Sequence, residues 1–407
     1  MEDKVMLPIC SLVGNGSACN PDFVVFVYQY TNIRREVVKI TDVQAFHLRG
    51  DIEALPDSSM EALLVKISTD AGIVGWGEAD GSRAINKAVI EAPFSSPVVS
   101  GLRHLLLGED PMNVTRLWKK MYDSTIYSGR EGAVIHAMAG IDLALWDIKG
   151  KALQVPVHQL LGGCFRSRIP AYASTLFEIT PGKNADLARK IVDDGYTAMK
   201  MGWQSFGRGP LADDIRTIEA IRHAAGDATG IAVDAGFAWT PKEAMRRAQA
   251  FEPYNLMWIE EPLVPDDLVG YERLSNFVPT EIAAGEEDAS VNGFVRLMNA
   301  GIDYIQIDLT KTGLTMAMQV AAIANQRGLK CINHNFSNHI NTAASLHFLA
   351  AIPNAFILEY GYNPAEIART LILNPIVVND GYVDVPMEPG LGVEPDLSVV
   401  ERFLVRG

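Results

Sequence analysis

From Ile169 onward the chain alternates short apolar runs with amphipathic segments, and this rhythm restricts its fold more than any other feature. Residues 169–174, 196–201, 230–234, 256–260, 282–285, 304–308, 330–334 and 355–359 read as strands. Between them, 185–194, 211–225, 241–251 and 314–326 carry apolar residues three and four apart, the period of a helix with one buried face. Strands alternating with helices pair in parallel, because each crossover needs a dozen or more residues. About eight such units in roughly 195 residues predict a closed (β/α) barrel with its helices outside. An open, doubly wound sheet is the alternative, and it lacks the glycine-rich phosphate loop expected after its first strand.

Three of these runs end in an acid. Asp234, Glu260 and Glu286 lie 26 residues apart, the length of one strand, one helix and two loops. In a parallel barrel they end neighbouring strands on one rim, the C-terminal rim on which barrel active sites are built. Any one of them alone reads equally well as a helix-capping acid. Three at equal spacing would repel one another and lose hydration unless a cation sat among them, and three hard oxygen ligands suit Mg²⁺. Lys200 ends the preceding strand, where the plain alternative is a surface lysine. Asp308 and His334 end two later strands, again 26 residues apart, so Asp308 is placed to accept a hydrogen bond from the imidazole and fix its tautomer. His339 and His347 fall on the next helix and read as structural. Glu359 ends the last strand, where a salt bridge is the plain alternative. A lysine on one side, a metal site in the middle and a His–Asp pair on the other suit removal of a proton α to a carboxylate. The metal would neutralise the substrate carboxylate and stabilise the enediolate.

The 407 residues exceed one typical domain. Residues 37–165, with strands first and helices after, predict an α+β capping domain, 166–363 the barrel, and 364–407 a segment returning to the cap. Residues 1–36 read as a peripheral extension without the basic start of a secretory leader. Apolar residues make up 48%, enough for a large core, and the net charge of −14 argues against nucleic acid or an anionic membrane as partner. No run approaches the length of a membrane span. The four cysteines, Cys10, Cys19, Cys164 and Cys331, form no metal or redox motif and fit a reducing cytoplasm.

The motifs Ala139-Gly-Ile-Asp-Leu-Ala-Leu-Trp-Asp-Ile-Lys-Gly-Lys151, Val233-Asp234, Trp258-Ile-Glu-Glu-Pro262, Gly285-Glu286, Gln306-Ile-Asp308, Asn333-His334 and Leu358-Glu359 resemble, in order and spacing, the enolase superfamily in its mandelate racemase/muconate lactonizing branch. The resemblance implies a modified (β/α)7β barrel under a capping domain. It implies one Mg²⁺ per subunit on Asp234, Glu260 and Glu286, an Asp308–His334 dyad, and Glu359 on the substrate oxyanion. Three features depart from it. Many relatives carry Lys-x-Lys on the second strand, whereas Ala198 takes the first place here and only Lys200 remains. One glycine is missing from the loop near Lys311. Asn335 brings an amide beside the histidine, which suits a hydroxyl-rich substrate.

The residues and the resemblance together predict a sugar-acid dehydratase forming a 2-keto-3-deoxy acid. Racemase or epimerase, cycloisomerase, and a non-catalytic acid-binding homologue are the alternatives. Trp203 and Arg208 in the loop after the second barrel strand are candidate substrate contacts. So are His47 and Arg49, which precede a candidate lid at 50–59. Solvated loop or strand-end residues are the plain alternative for both pairs. A homo-oligomer is the expected assembly.

Overall fold

A computed structural model describes residues 38–50, 58–362 and 364–406; the 1–36 extension and most of the 50–59 lid candidate lie outside the described residues. The chain opens with an antiparallel meander of β1 (Ile40–Arg49), β2 (Glu61–Thr69) and β3 (Val74–Ala79). Helices α1 (Arg83–Glu91), α2 (Leu102–Leu106), α3 (Val114–Ser124), α4 (Ala133–Leu153) and the short α5 (Val157–Leu160) follow. Helix α4 is buried almost all round, from Val134 to Ile148. It can be apolar on every side because the meander covers one flank and the barrel the other. Sheet and helix meet backbone to backbone. A Cβ on Gly77 would stand 2.0 Å from the Gly140 carbonyl oxygen, and one on Gly75 2.2 Å from that of Ala144. Only glycine permits so close an approach.

The barrel follows as β4 (Arg168–Leu176), α6 (Pro181–Asp193), β5 (Ala198–Gly202), α7 (Leu211–Ala225), β6 (Gly230–Asp234), α8 (Pro241–Phe251), β7 (Trp258–Glu260), α9 (Leu268–Ser275), β8 (Ile282–Ala284), α10 (Val291–Asn299), β9 (Tyr304–Ile307), α11 (Leu309–Gln326), β10 (Lys330–Asn333), α12 (His339–Ala351) and β11 (Leu358–Gly361). Local chemistry starts the helices. Thr180 and Thr240 cap α6 and α8 with proline next in line, and Thr240 forms a reciprocal capping box with Glu243. The strands pair in parallel in the order β10-β9-β8-β7-β6-β5-β4-β11. Across the seam between β10 and the approach to β11, Cys331 bridges Ala355, and the Asn333 side chain accepts from the Glu359 N–H at 2.9 Å.

Period-two geometry sorts the barrel interior into layers. Tyr172, Ala198, Ala232, Trp258, Ala283, Tyr304, Ile332 and Ile357 pack together as an apolar plug. Two residues further along each strand stand Ser174, Lys200, Asp234, Glu260, Gly285, Gln306, His334 and Glu359. Side chains two apart point the same way, so a polar layer lies directly above the plug.

The C-terminal segment carries α13 (Glu366–Thr370), β12 (Tyr382–Asp384) and α14 (Leu397–Phe403). Strand β12 pairs antiparallel with β4, Val405 donates to the His47 carbonyl, and the Leu391 N–H reaches Asp147 on α4.

Some boundaries differ from the sequence expectation for identifiable reasons. Strand β9 stops at Ile307 because Asp308 turns to cap α11, accepting from the Thr310 N–H. Strand β8 stops at Ala284 because the next N–H, of Gly285, goes to the Glu261 side chain. Helix α11 begins earlier than 314 and is kinked at Gly313, whose φ of 69° lies in the left-handed region. That kink frees the Thr315 N–H, which Asp142 of α4 takes up at 2.8 Å. The loop thus manages with one glycine because the cap helix supplies its second anchor.

The close contact of β3 and α4 is testable. Gly77→Ala is expected to cost about 1–3 kcal/mol or more through overpacking, read as a lower thermal midpoint. Gly182→Ala, in the first turn of α6 with nothing within 4 Å of the new Cβ, should instead hold or raise the midpoint, by about 0.5–1 kcal/mol at most.

Candidate active site

The sheet register sets the first two acids side by side, with Asp234 opposite Glu260 and Gly202 opposite Asp234. Glu286 follows two residues after β8. All three are buried. Asp234 Oδ1 accepts from the Gly236 N–H at 2.8 Å, and Glu260 Oε2 from the Trp258 indole at 3.0 Å. Glu286 Oε2 has no hydrogen-bond donor and lies 3.5 Å from His334 Nε2. Burial pushes the Asp234 carboxyl well up, reinforced by the charge of Glu260, and burial likewise raises Glu286.

As placed, no three His, Cys, Asp or Glu side chains among the described residues close on one point; Glu260 is drawn to Lys200 instead. The donor set still fits a hard divalent cation. It consists of carboxylate oxygens only, one of them buried without a donor, on groups that burial makes costly to ionise unneutralised.

On one side stands Lys200, its ammonium between Glu260 and Glu359, with Glu359 Oε1 at 2.7 Å. Burial alone would pull the ammonium down, but the two carboxylates outweigh it and hold Lys200 well above the usual lysine range. Glu359 is saturated: Oε1 also accepts from Ser174 Oγ at 2.6 Å and Oε2 from the Asn335 N–H at 2.8 Å. Burial would raise its carboxyl, yet Lys200 and His334 bring it below the usual value. Glu359 is therefore an acceptor here, and an oxyanion contact would first require its protonation.

On the other side His334 Nδ1 lies 2.8 Å from Asp308 Oδ2. Asp308 Oδ1 accepts from the Thr310 N–H and hydroxyl at 2.8 and 2.6 Å and from Asn341 Nδ2 at 3.3 Å. Burial works to lower the imidazole, but Glu286 and then Asp308 raise it to about 10. Burial works to raise Asp308, but the His334 hydrogen bond and charge bring it down to about 2. The two agree on a charged pair. Because Glu286 is the largest of the raising causes, neutralising that carboxylate would release the imidazole toward a base.

The structure thus brings together Lys200, Asp234, Glu260, Glu286, Asp308, His334 and Glu359. It does not bring in the expected substrate contacts equally. His47 and Arg49 face Glu61 across the cap sheet, with Arg49 in an ion pair to it and His47 Nε2 at 3.8 Å. The Arg208 guanidinium donates to the carbonyls of Gln204, Phe206 and Gly236, closing its own loop. Asn335 spends its amide on Thr342 and Ser337. Trp203 does remain exposed on the loop after β5; its N–H donates to the Asp234 carbonyl at 3.4 Å and its ring meets Phe237 edge-on. His347 stacks on His158 and bonds the Leu391 carbonyl, so it is structural.

Sequence reasoning passed over Ser174, two residues beyond Tyr172 and legible from strand period alone. It also passed over Glu261, which accepts from Tyr271 and the Gly285 N–H. Burial and the charge of Glu286 push the Glu261 carboxyl well up.

Known proteins share this fold. The family described as "Enolase C-terminal domain-like" matches residues 183–399, and "Mandelate racemase / muconate lactonizing enzyme, N-terminal domain" matches 54–162. The chain is 31% identical to a D-galactarolactone cycloisomerase of Agrobacterium fabrum, over 84% of this chain and 90% of the relative. It is 30% identical to a D-xylonate dehydratase of Haloferax volcanii, over 91% and 90%. The crystal structure of the 3,6-anhydro-D-galactonate cycloisomerase from Zobellia galactanivorans superposes with a TM-score of 0.83 at 30% identity, covering 90% of this chain and all of that one.

The charged pair makes a pH prediction for protein kept free of divalent ions by chelator. A histidine raised to about 10 when folded contributes stability that is full below its unfolded value of about 6.5 and is lost as pH rises toward the folded value. The urea midpoint of the wild type should exceed that of His334→Asn most near pH 6, and the gap should shrink toward pH 10. A gap independent of pH over that range would contradict the pairing.

Proposed function

We propose that this chain, which belongs to the enolase superfamily in its mandelate racemase/muconate lactonizing enzyme branch, is a sugar-acid dehydratase. One observation carries the choice of reaction: the two sides of the site are unequal. A racemase needs a base on each face of the α-carbon. Lys200 is held as a cation by Glu260 and Glu359, and Ala198 offers no second amine. That leaves His334, backed by Asp308, as the group that exchanges a proton.

A single acid–base group suits elimination. His334 Nε2 takes the α-proton, and the C–H electron pair becomes the double bond of the enediolate. The same imidazole, now protonated, gives that proton to the departing β-hydroxyl, which leaves as water. The resulting enol tautomerises to a 2-keto-3-deoxy acid. Lys200 offsets negative charge on the opposite side, and Asp308 keeps the imidazole in the tautomer that presents Nε2. Asp234, Glu260 and Glu286 would hold a divalent cation, Mg²⁺ by donor type, which when bound supplies the positive charge that offsets the substrate carboxylate and the enediolate.

The names of two similar relatives favour a second reading, cycloisomerisation of a lactone or anhydro sugar acid. It uses the same His334 chemistry with a ring oxygen as leaving group, so no water is lost.

A panel of mono- and diacid sugars and their lactones, assayed with Mg²⁺ by mass spectrometry and keto-acid derivatisation, separates these. A 2-keto product lighter by one water is expected. A 2-keto isomer of unchanged mass would move the assignment to cycloisomerase, and stereoisomers of the substrate alone would make both wrong. His334→Asn should lower kcat by about 10²–10⁴-fold.

Metal binding is read separately, by calorimetry without substrate. Mg²⁺ should bind with release of protons, because Asp234 and Glu286 are pushed up by burial. Glu286→Gln should weaken that binding and His334→Asn should spare it. Loss of Mg²⁺ affinity in His334→Asn would make the histidine a ligand.

A further inference from the structure

Glu78 in β3 of the cap and Asp80, one residue past its end, both bond barrel segments, Glu78 through its carboxylate and Asp80 through its N–H. Glu78 is buried and accepts from two donors at the start of α12, the Asn338 side chain and the Asn341 N–H at 3.2 Å. Asn341 is also fully buried, and its own amide Nδ2 lies 3.3 Å from Asp308 Oδ1 and 3.4 Å from the His334 carbonyl. Two residues on from Glu78, the Asp80 N–H donates to the Thr310 carbonyl at 3.3 Å. The Thr310 N–H and hydroxyl are the other donors to Asp308 Oδ1. Every donor to that oxygen is therefore attached, one bond further back, to the end of a single cap strand. Asp80 is itself fixed by Arg83 at 2.7 Å, and Lys311 lies 3.9 Å from it.

We propose that Glu78 is a positioning residue for the Asp308–His334 dyad, acting through Asn341. The inference rests on the reading of that dyad as the acid–base group. Glu78 touches neither the reacting centre nor the carboxylates assigned to the cation. It holds the first turn of α12 so that the Asn341 amide faces Asp308. With Oδ1 occupied by Thr310 and Asn341, the second oxygen is left to the imidazole, and the direction of Nε2 follows. The sequence separation explains why the cap is needed: Glu78 and Asn341 lie 263 residues apart, and no barrel strand supplies a carboxylate in that place.

Two variants test this. Glu78→Gln keeps the shape but can accept at only one atom, so Asn338 or Asn341 loses its acceptor. Asn341→Ala keeps the backbone bond to Glu78 and removes the amide that reaches Asp308, together with its bonds to the His334 carbonyl, Ser337 and Ser345. With whichever hydroxy acid the wild type turns over or exchanges, both should lower kcat at least about tenfold, within the 10²–10⁴ that a positioned acid–base group contributes. KM should change less than about threefold if substrate binding is untouched. The double variant should lose no more than the worse single one, since both act through the same bond.

A second readout needs no substrate. In protein labelled with ¹⁵N-histidine, the His334 ring signals, assigned by their disappearance in His334→Asn, should move in both variants. Absence of turnover on sugar acids would overturn the dehydratase reading and leave this measurement intact. Unmoved His334 signals, fully additive kinetic losses, or a lower thermal midpoint with unchanged kcat would overturn the positioning role.

Discussion

Asp234, Glu260, Glu261, Glu286, Asp308 and Glu359 share one buried barrel mouth with, among the described residues, only Lys200, Lys311 and His334 to balance them. Much of the local structure answers this imbalance. Lys200 is drawn between two acids, and His334 holds its proton because Glu286 and Asp308 both face it. Neutral donors take up further oxygens: Ser174 and the Asn335 N–H on Glu359, Trp258 on Glu260, Tyr271 and the Gly285 N–H on Glu261. What is left over is an excess of negative charge around Asp234 and Glu286, where burial and like charge both favour protons. Under the proposed function a bound cation would offset that excess. The apolar plug below and the helices around hold the strand ends in place.

The layer order explains how much of this was legible beforehand. Strand–helix alternation and the 26-residue interval depend only on backbone period, so they placed Lys200, Asp234, Glu260, Asp308, His334 and Glu359 on one rim. The same period would have placed Ser174. What sequence could not supply was the partner of each polar atom. Arg208 donates to three carbonyls within its own loop and its neighbour's, and Asn335 bonds Thr342 and Ser337. Local side-chain bonds of that sort compete silently with any role on a ligand. Arg49 lies opposite Glu61 in the sheet register and pairs with it, with His47 nearby.

The cap meets the barrel through buried polar contacts. The Asp142 carboxylate receives the Thr315 N–H and hydroxyl, Trp146 donates to the same hydroxyl, and Gly313 lets the helix break where Asp142 enters. Asp142 is pushed up to about 7 by burial, against the pull of those donors. Glu78, pushed up to about 8 by burial and by Asp80, sits at the other entry of the cap into the barrel. Both are acids that would be costly to bury without a fixed set of donors, and both find those donors only on barrel segments. A buried polar group with a unique set of partners penalises every other docking of the two halves. The cap therefore meets the barrel in one register, and because that register runs through Thr310 and Asn341, the dyad is aligned by the same contacts that join the domains. The missing glycine near Lys311 then has a physical sense: the loop is held by α4 from outside, so it needs less freedom within.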